Sequence, residues 1–139
     1  MKKSILLLLT VCISTAALAQ SETELITETI NDYIEGTSYG NQDQVRKAFH
    51  PDLNLYSIRN GKLHVWFGQD YINGITEGRN TGRTGKILSI DYENNVATAK
   101  AEIIIPGRPA PFIDYFILAK AEGKWTIIHK AYTVKTSSD

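Results

Sequence analysis

The chain has 139 residues, with 15 basic and 15 acidic side chains, 42% hydrophobic residues and a single cysteine. That balance excludes the basic excess that a nucleic-acid or anionic-membrane binder normally carries. One cysteine excludes an internal disulfide framework, and three histidines at no metal-binding spacing give no metal signature.

At the amino terminus, Lys2 and Lys3, the apolar run from Ile5 to Ile13 and the small-residue site Ala17-Leu18-Ala19 read as a secretory signal peptide over residues 1–19. Cleavage between Ala19 and Gln20 implies a secreted or periplasmic destination with no membrane anchor left. Taking 19 from 139 leaves 120 residues, enough for one domain over 20–139. The loss of Lys2 and Lys3 leaves 13 basic against 15 acidic residues, and Cys12 departs with the signal.

Ser21 and Glu24 form a capping box, and Ile26, Ile30, Tyr33, Ile34 and Thr37 fall on one helical stripe, so a first helix is expected from Glu22 to Ser38. Gly40 breaks it. Asn41 with Gln44 opens a short second helix, which His50-Pro51-Asp52 stops because a residue before proline is pushed out of helical geometry. Leu53–Arg59 and Lys62–Phe67 are strands around the hairpin signal Asn60-Gly61. A two-residue loop there sets Ile58 against Leu63 and Tyr56 against Val65 on one face, and Leu55 against Trp66 on the other. Gln69–Glu77 reads as a third helix and Gly78–Gly85 as a flexible loop. Two more strands follow, Ile87–Tyr92 and Val96–Ile105, and then the long ribbon Phe112–Lys130.

In that ribbon a three-residue loop, Ala121-Glu122-Gly123, is expected to set Lys120 opposite Lys124. The register then places Leu118 against Thr126, Phe116 against Ile128, Asp114 against Lys130 and Phe112 against Tyr132 on one face. Ile113, Tyr115, Ile117, Trp125, Ile127 and His129 take the other. Both faces are largely apolar, so the ribbon belongs in the middle of a sheet covered on both sides. Helices early and strands late argue an α+β fold, with a curved antiparallel sheet of about six strands wrapped around three helices.

The element order, the Phe49-His50-Pro51-Asp52 corner, Asp114-Tyr115-Phe116, Gly123-Lys124-Trp125-Thr126-Ile127 and Lys130 resemble the Putative lumazine-binding family of the nuclear transport factor 2-like (SnoaL-like) superfamily. The resemblance implies an α+β cone with a pocket between the helices and the concave sheet face, often dimeric through the sheet. It also suggests a pterin-like or flavin-like ligand. Ketosteroid-isomerase-like relatives carry a carboxylate base on the first strand, and here that neighbourhood is Tyr56-Ser57-Ile58, with no acid.

Asp114 and Lys130 are the leading site residues, because a charge on an apolar face demands a partner. Their structural role is a buried salt bridge that fixes the sheet; their functional role is to orient a polar ligand or move a proton. Tyr33, Tyr56, Trp66 and Phe116 are candidate walls for a planar ligand, as is Tyr71. The reading that follows is a small-ligand-binding protein without cofactor or metal. The enzyme alternative is proton transfer or dehydration by Asp114 with His50 or a tyrosine; a third class is a protein-interaction domain.

Overall fold

The computed structural model describes residues 20–136, so the expected signal peptide lies outside the described residues. The elements run α1 (Glu22–Tyr39), α2 (Gln42–Ala48), β1 (Phe49–Arg59), β2 (Lys62–Phe67), α3 (Gly68–Asn73), β3 (Thr84–Glu93), β4 (Val96–Ile104), β5 (Phe112–Ala121) and β6 (Lys124–Val134). The six strands form one sheet in the order β2-β1-β6-β5-β4-β3, and β1 runs parallel to β6. The fold is α+β, as its element order implies. None of the described helices is long and apolar enough to cross a membrane.

The capping box forms at Ser21: its Oγ accepts from the Glu24 N–H at 3.3 Å and the Glu24 carboxylate accepts from the Ser21 N–H at 2.8 Å. The stripe of Ile26, Ile30, Tyr33, Ile34 and Thr37 is buried along the length of α1. It packs on an inner sheet face built from Leu53, Leu55, Leu118, Trp125 and Ile127, together with Ala97, Ala99, Ala101 and Ile103. The alanines keep that face of β4 low beneath its larger neighbours. The Asn60-Gly61 turn sets Ile58 opposite Leu63, Tyr56 opposite Val65 and Leu55 opposite Trp66, the pairing its two-residue loop requires. Pro51 lies where the β1–β6 register shifts between Phe49 and Asn54; it has no N–H to give the ladder.

Several expectations are corrected. The final hairpin turns on two residues, Glu122 and Gly123, both at positive φ, with Ala121 opposite Lys124 and Lys120 opposite Trp125. Leu118 therefore faces Ile127, a bulge follows between Ile117 and Leu118, and beyond it Phe116 faces Lys130 and Asp114 faces Tyr132. The extra residue, Ile128, switches the alternation, so Trp125 and Ile127 join the core instead of the outer face. Helix α3 ends at Asn73 rather than Glu77, because Gly74 caps it and the chain turns toward the end of α1.

The segment after α3 is not a free loop but is docked on that end. The Gly78 N–H donates to the Gly40 carbonyl at 2.9 Å, the Thr81 N–H to the Ser38 carbonyl at 2.8 Å, and the Ser38 hydroxyl to the Arg83 carbonyl at 2.7 Å. These bonds also fix where β3 begins.

Candidate functional site

Asp114 lies on β5 between Ala101 of β4 and Tyr132 of β6, facing the helices. It is 2% exposed, and Lys130, on the neighbouring strand, is 4% exposed. Although they are not directly opposite, both side chains point to the inner face, and Lys130 Nζ lies 2.9 Å from Asp114 Oδ2. The diagonal spacing on one sheet face is within reach of a long side chain. Tyr33, fully buried at the inward side of α1, donates its hydroxyl to the same Oδ2 at 2.9 Å. The Tyr33 ring is held by stacking on Phe49, at 5.3 Å between centroids, and by an edge contact with Phe116 at 5.6 Å.

The fourth member is Arg83, delivered by the docked segment just before β3. Its Nη2 donates to the Tyr33 hydroxyl and lies 3.6 Å from Asp114 Oδ2, while Nη1 reaches the Tyr71 hydroxyl of α3 at 3.4 Å. A hydrogen-bonded chain thus runs from Arg83 through Tyr33 to Asp114, with Lys130 closing it from the sheet. The Lys130 ammonium also lies over the Tyr132 ring, 4.4 Å from its centroid.

Burial dominates the proton affinities. It pushes the Tyr33 hydroxyl well above the usual tyrosine range, with Asp114 adding to the effect and Arg83 opposing it, so Tyr33 stays protonated and donates. Burial pulls the Lys130 amine down to about 8; Asp114 resists that fall and the nearby Arg83 guanidinium deepens it.

The cluster forms the polar end of a cavity of about 810 Å³ between the helices and the sheet, walled by Trp66, Tyr71, Phe112 and Tyr132. Trp66 meets Tyr71 edge-on at 5.1 Å, and an adjoining recess of about 240 Å³ shares Trp66, Tyr71 and Arg83 with it. Of the residues expected at the site, Asp114, Lys130, Tyr33 and Trp66 are brought together there. Phe116 is a core residue that supports Tyr33 from behind.

Two others lie elsewhere. Tyr56 faces the opposite side of the sheet, against His129 at 5.7 Å, in an outer depression of about 750 Å³ shared with Tyr115. The hairpin pattern pairs Tyr56 with Val65 correctly, but it is the Leu55 and Trp66 face that turns inward. His50 is half exposed near the start of β1, where its Nδ1 accepts from the Asp52 N–H at 3.2 Å, and it does not line the cavity. Arg83 was hidden from sequence reasoning, because nothing in Gly82-Arg83-Thr84 marks an inward side chain. Among the described residues no three His, Cys, Asp or Glu side chains gather as a metal site would require.

A helical layer over one sheet face, with a cavity ending in a buried charge cluster, is an architecture that many binding proteins and enzymes share. The chain belongs to the Putative lumazine-binding family, whose profile matches residues 21–133, and hence to the nuclear transport factor 2-like superfamily. It is similar to an NTF2-like protein of Shewanella baltica, with 28% identity and a TM-score of 0.71 over 84% of this chain and 95% of that one. A Methylobacillus flagellatus NTF2-like protein shows 25% identity and a TM-score of 0.72 over 86% and 97%. Aldolase FrzH of Cladobotryum sp. is 22% identical over 120 residues, 83% of this chain and 93% of that protein.

Proposed function

We propose that this chain is a secreted or periplasmic small-ligand-binding protein that takes a planar or aromatic ligand into the cavity beneath α1. The observation that carries this reading is the state of Asp114. Its Oδ2 is held by the Tyr33 hydroxyl and the Lys130 ammonium, with Arg83 beside it, so the carboxylate orients its surroundings rather than standing free as a base. The aromatic walls supply stacking surface, and the cavity volume suits a two- or three-ring molecule. The amino-terminal signal pattern supports export.

A thermal-shift screen with pterins, flavins and steroid-like enones tests the reading. A ligand at about 100 times its Kd adds about 2.7 kcal/mol, which raises the melting midpoint by several degrees. No shift with any of them, together with unchanged Trp66 fluorescence, defeats small-ligand binding and favours the interaction-domain class. Conversion of an added compound instead of simple binding points to the enzyme alternative. The aldolase similarity and the lowered proton affinity of the buried Lys130 amine would then place carbonyl chemistry at Lys130 ahead of proton abstraction by Asp114.

The reading includes a homodimer through the outer sheet face, where Ile58, Leu63, Val65, Tyr115 and Ile117 are exposed. Large apolar side chains gathered on one exposed sheet face are the kind of patch that marks an interaction surface. Analytical ultracentrifugation at tens of micromolar, an order-of-magnitude working concentration for a moderate interface, is expected to show a dimer. A monomer throughout that range contradicts the pairing.

A further inference from the structure

The charges around the cavity do not balance. Among the described residues four cationic side chains line it, Arg59, Arg83, Arg108 and Lys130, and the one carboxylate is Asp114. At its polar end the buried Lys130 and the largely buried Arg83 face that single carboxylate, leaving one positive charge without a counterion among the described residues. An uncompensated charge removed from water is costly, and the fold tolerates it only where something else supplies the opposite sign. Hydrogen bonding is incomplete in the same place: Arg83 Nε and Ser57 Oγ, on two residues that line the cavity, are shielded from solvent and have no partner among the described residues. The open end carries the same sign, with Arg108 exposed there and Arg59 tied to the Tyr132 hydroxyl at 3.0 Å. A field of one sign along a low-dielectric cleft draws in and holds an anion.

We propose that the ligand of this cavity is a planar aromatic monocarboxylate, with its carboxylate received between Arg83 and Lys130 and its ring against Trp66 and Tyr71. The inference rests on the ligand-binding reading above and narrows it to an acid. One negative charge neutralises the surplus, and the guanidinium fork of Arg83 matches the geometry of a carboxylate. The aromatic walls accept the ring face. A doubly charged phosphate monoester would overshoot the balance at the polar end.

The test compares 2-naphthoate with 2-naphthamide by isothermal titration calorimetry, in a buffer free of carboxylates and phosphate. The two probes share a ring system and differ in charge. At pH 7 the acid is expected to bind at least about tenfold more tightly than the amide, a difference of about 1.4 kcal/mol. The preference is expected to shrink as pH rises past about 8, where the Lys130 amine gives up its proton and its share of the attraction. Arg83→Gln is expected to abolish the preference. Since that change reaches into the core, Arg108→Ser at the exposed rim serves as a second variant, expected to weaken the acid a few-fold and leave the amide unchanged. Equal affinity of acid and amide for the unmodified protein overturns the proposal but leaves ligand binding standing. If neither probe binds at millimolar concentration while a pterin or flavin shifts the melting midpoint, the acid assignment alone falls; if nothing binds, both fall.

Discussion

Asp114→Asn is expected to lower the free energy of unfolding by about 3 to 5 kcal/mol at pH 7, because the substitution leaves buried cations without their counterion. For a domain of this size that is a fall in melting midpoint of about 10 to 20 °C, readable by circular dichroism or calorimetry. Asparagine keeps the volume and can still accept from Tyr33, so the deficit reports charge and not packing. Lys130 at 2.9 Å and Arg83 at 3.6 Å would then repel one another across a neutral amide. Glu102→Gln is the contrasting case. That carboxylate meets the half-exposed Lys135 near the protein surface, and such a pair is worth about 0 to 1 kcal/mol.

The deficit also carries a pH signature. The folded Lys130 amine titrates at about 8 against an ordinary 10.5, so between those values the unfolded chain binds the proton more firmly than the folded one. Stability contributed by this group therefore rises with pH across that window, and the cost of burying the ammonium is fully present below about 8. Without Asp114 the folded value falls further and the variant starts to recover at lower pH. Wild type and variant should draw together as pH rises to about 8, the folded wild-type value, and then gain stability in parallel toward the unfolded lysine value. A variant that melts with the wild type at pH 7 removes the paired-charge account.

The scaffold was legible because its determinants are local. Ser21 and Glu24 announce the start of α1, Asn60-Gly61 fixes one hairpin register, and the ribbon's two apolar faces place it inside the sheet. The charge pair was legible for the same reason, since a lone acid and a lone lysine interrupt an apolar pattern. The exact strand register was not. Glutamate resists the left-handed region, so a loop asking only Gly123 to enter it looked preferable, yet Glu122 sits at φ 51°. The bulge at Ile128 has no sequence mark, because on a strand with apolar residues on both faces the alternation reads the same in either phase. It restores Lys130 to the face of Asp114, so the pair meets in spite of the misjudged turn. Tyr56 went astray because a hairpin pattern defines two faces without saying which lies inward. Arg83 is the largest omission. Its position depends on main-chain bonds from Gly78 and Thr81 to the end of α1, and backbone hydrogen bonds leave no side-chain pattern to read.

Those same bonds make Gly40 the position where a single methyl group should do most damage to both fold and site. Gly40 caps α1 at φ 67°, and a Cβ there would lie 2.3 Å from the Thr76 carbonyl oxygen and 2.6 Å from the Arg79 nitrogen. Both are backbone atoms, so the clash is relieved only by lifting the 76–79 segment away from the helix. Gly40→Ala is expected to cost about 1 to 2 kcal/mol for the left-handed conformation and about 1 to 3 kcal/mol more for the overlap. Gly61→Ala separates the two contributions, because Gly61 has a similar φ of 73° and nothing within 4 Å of the added carbon. It should show the conformational cost alone. The segment that Gly40→Ala displaces ends at Arg83, so the surviving folded protein should also lose affinity for the cavity's ligand, which Gly61→Ala should leave intact. Equal stability losses in urea titrations of the two variants would mean that the docked segment yields freely and does not set the position of Arg83.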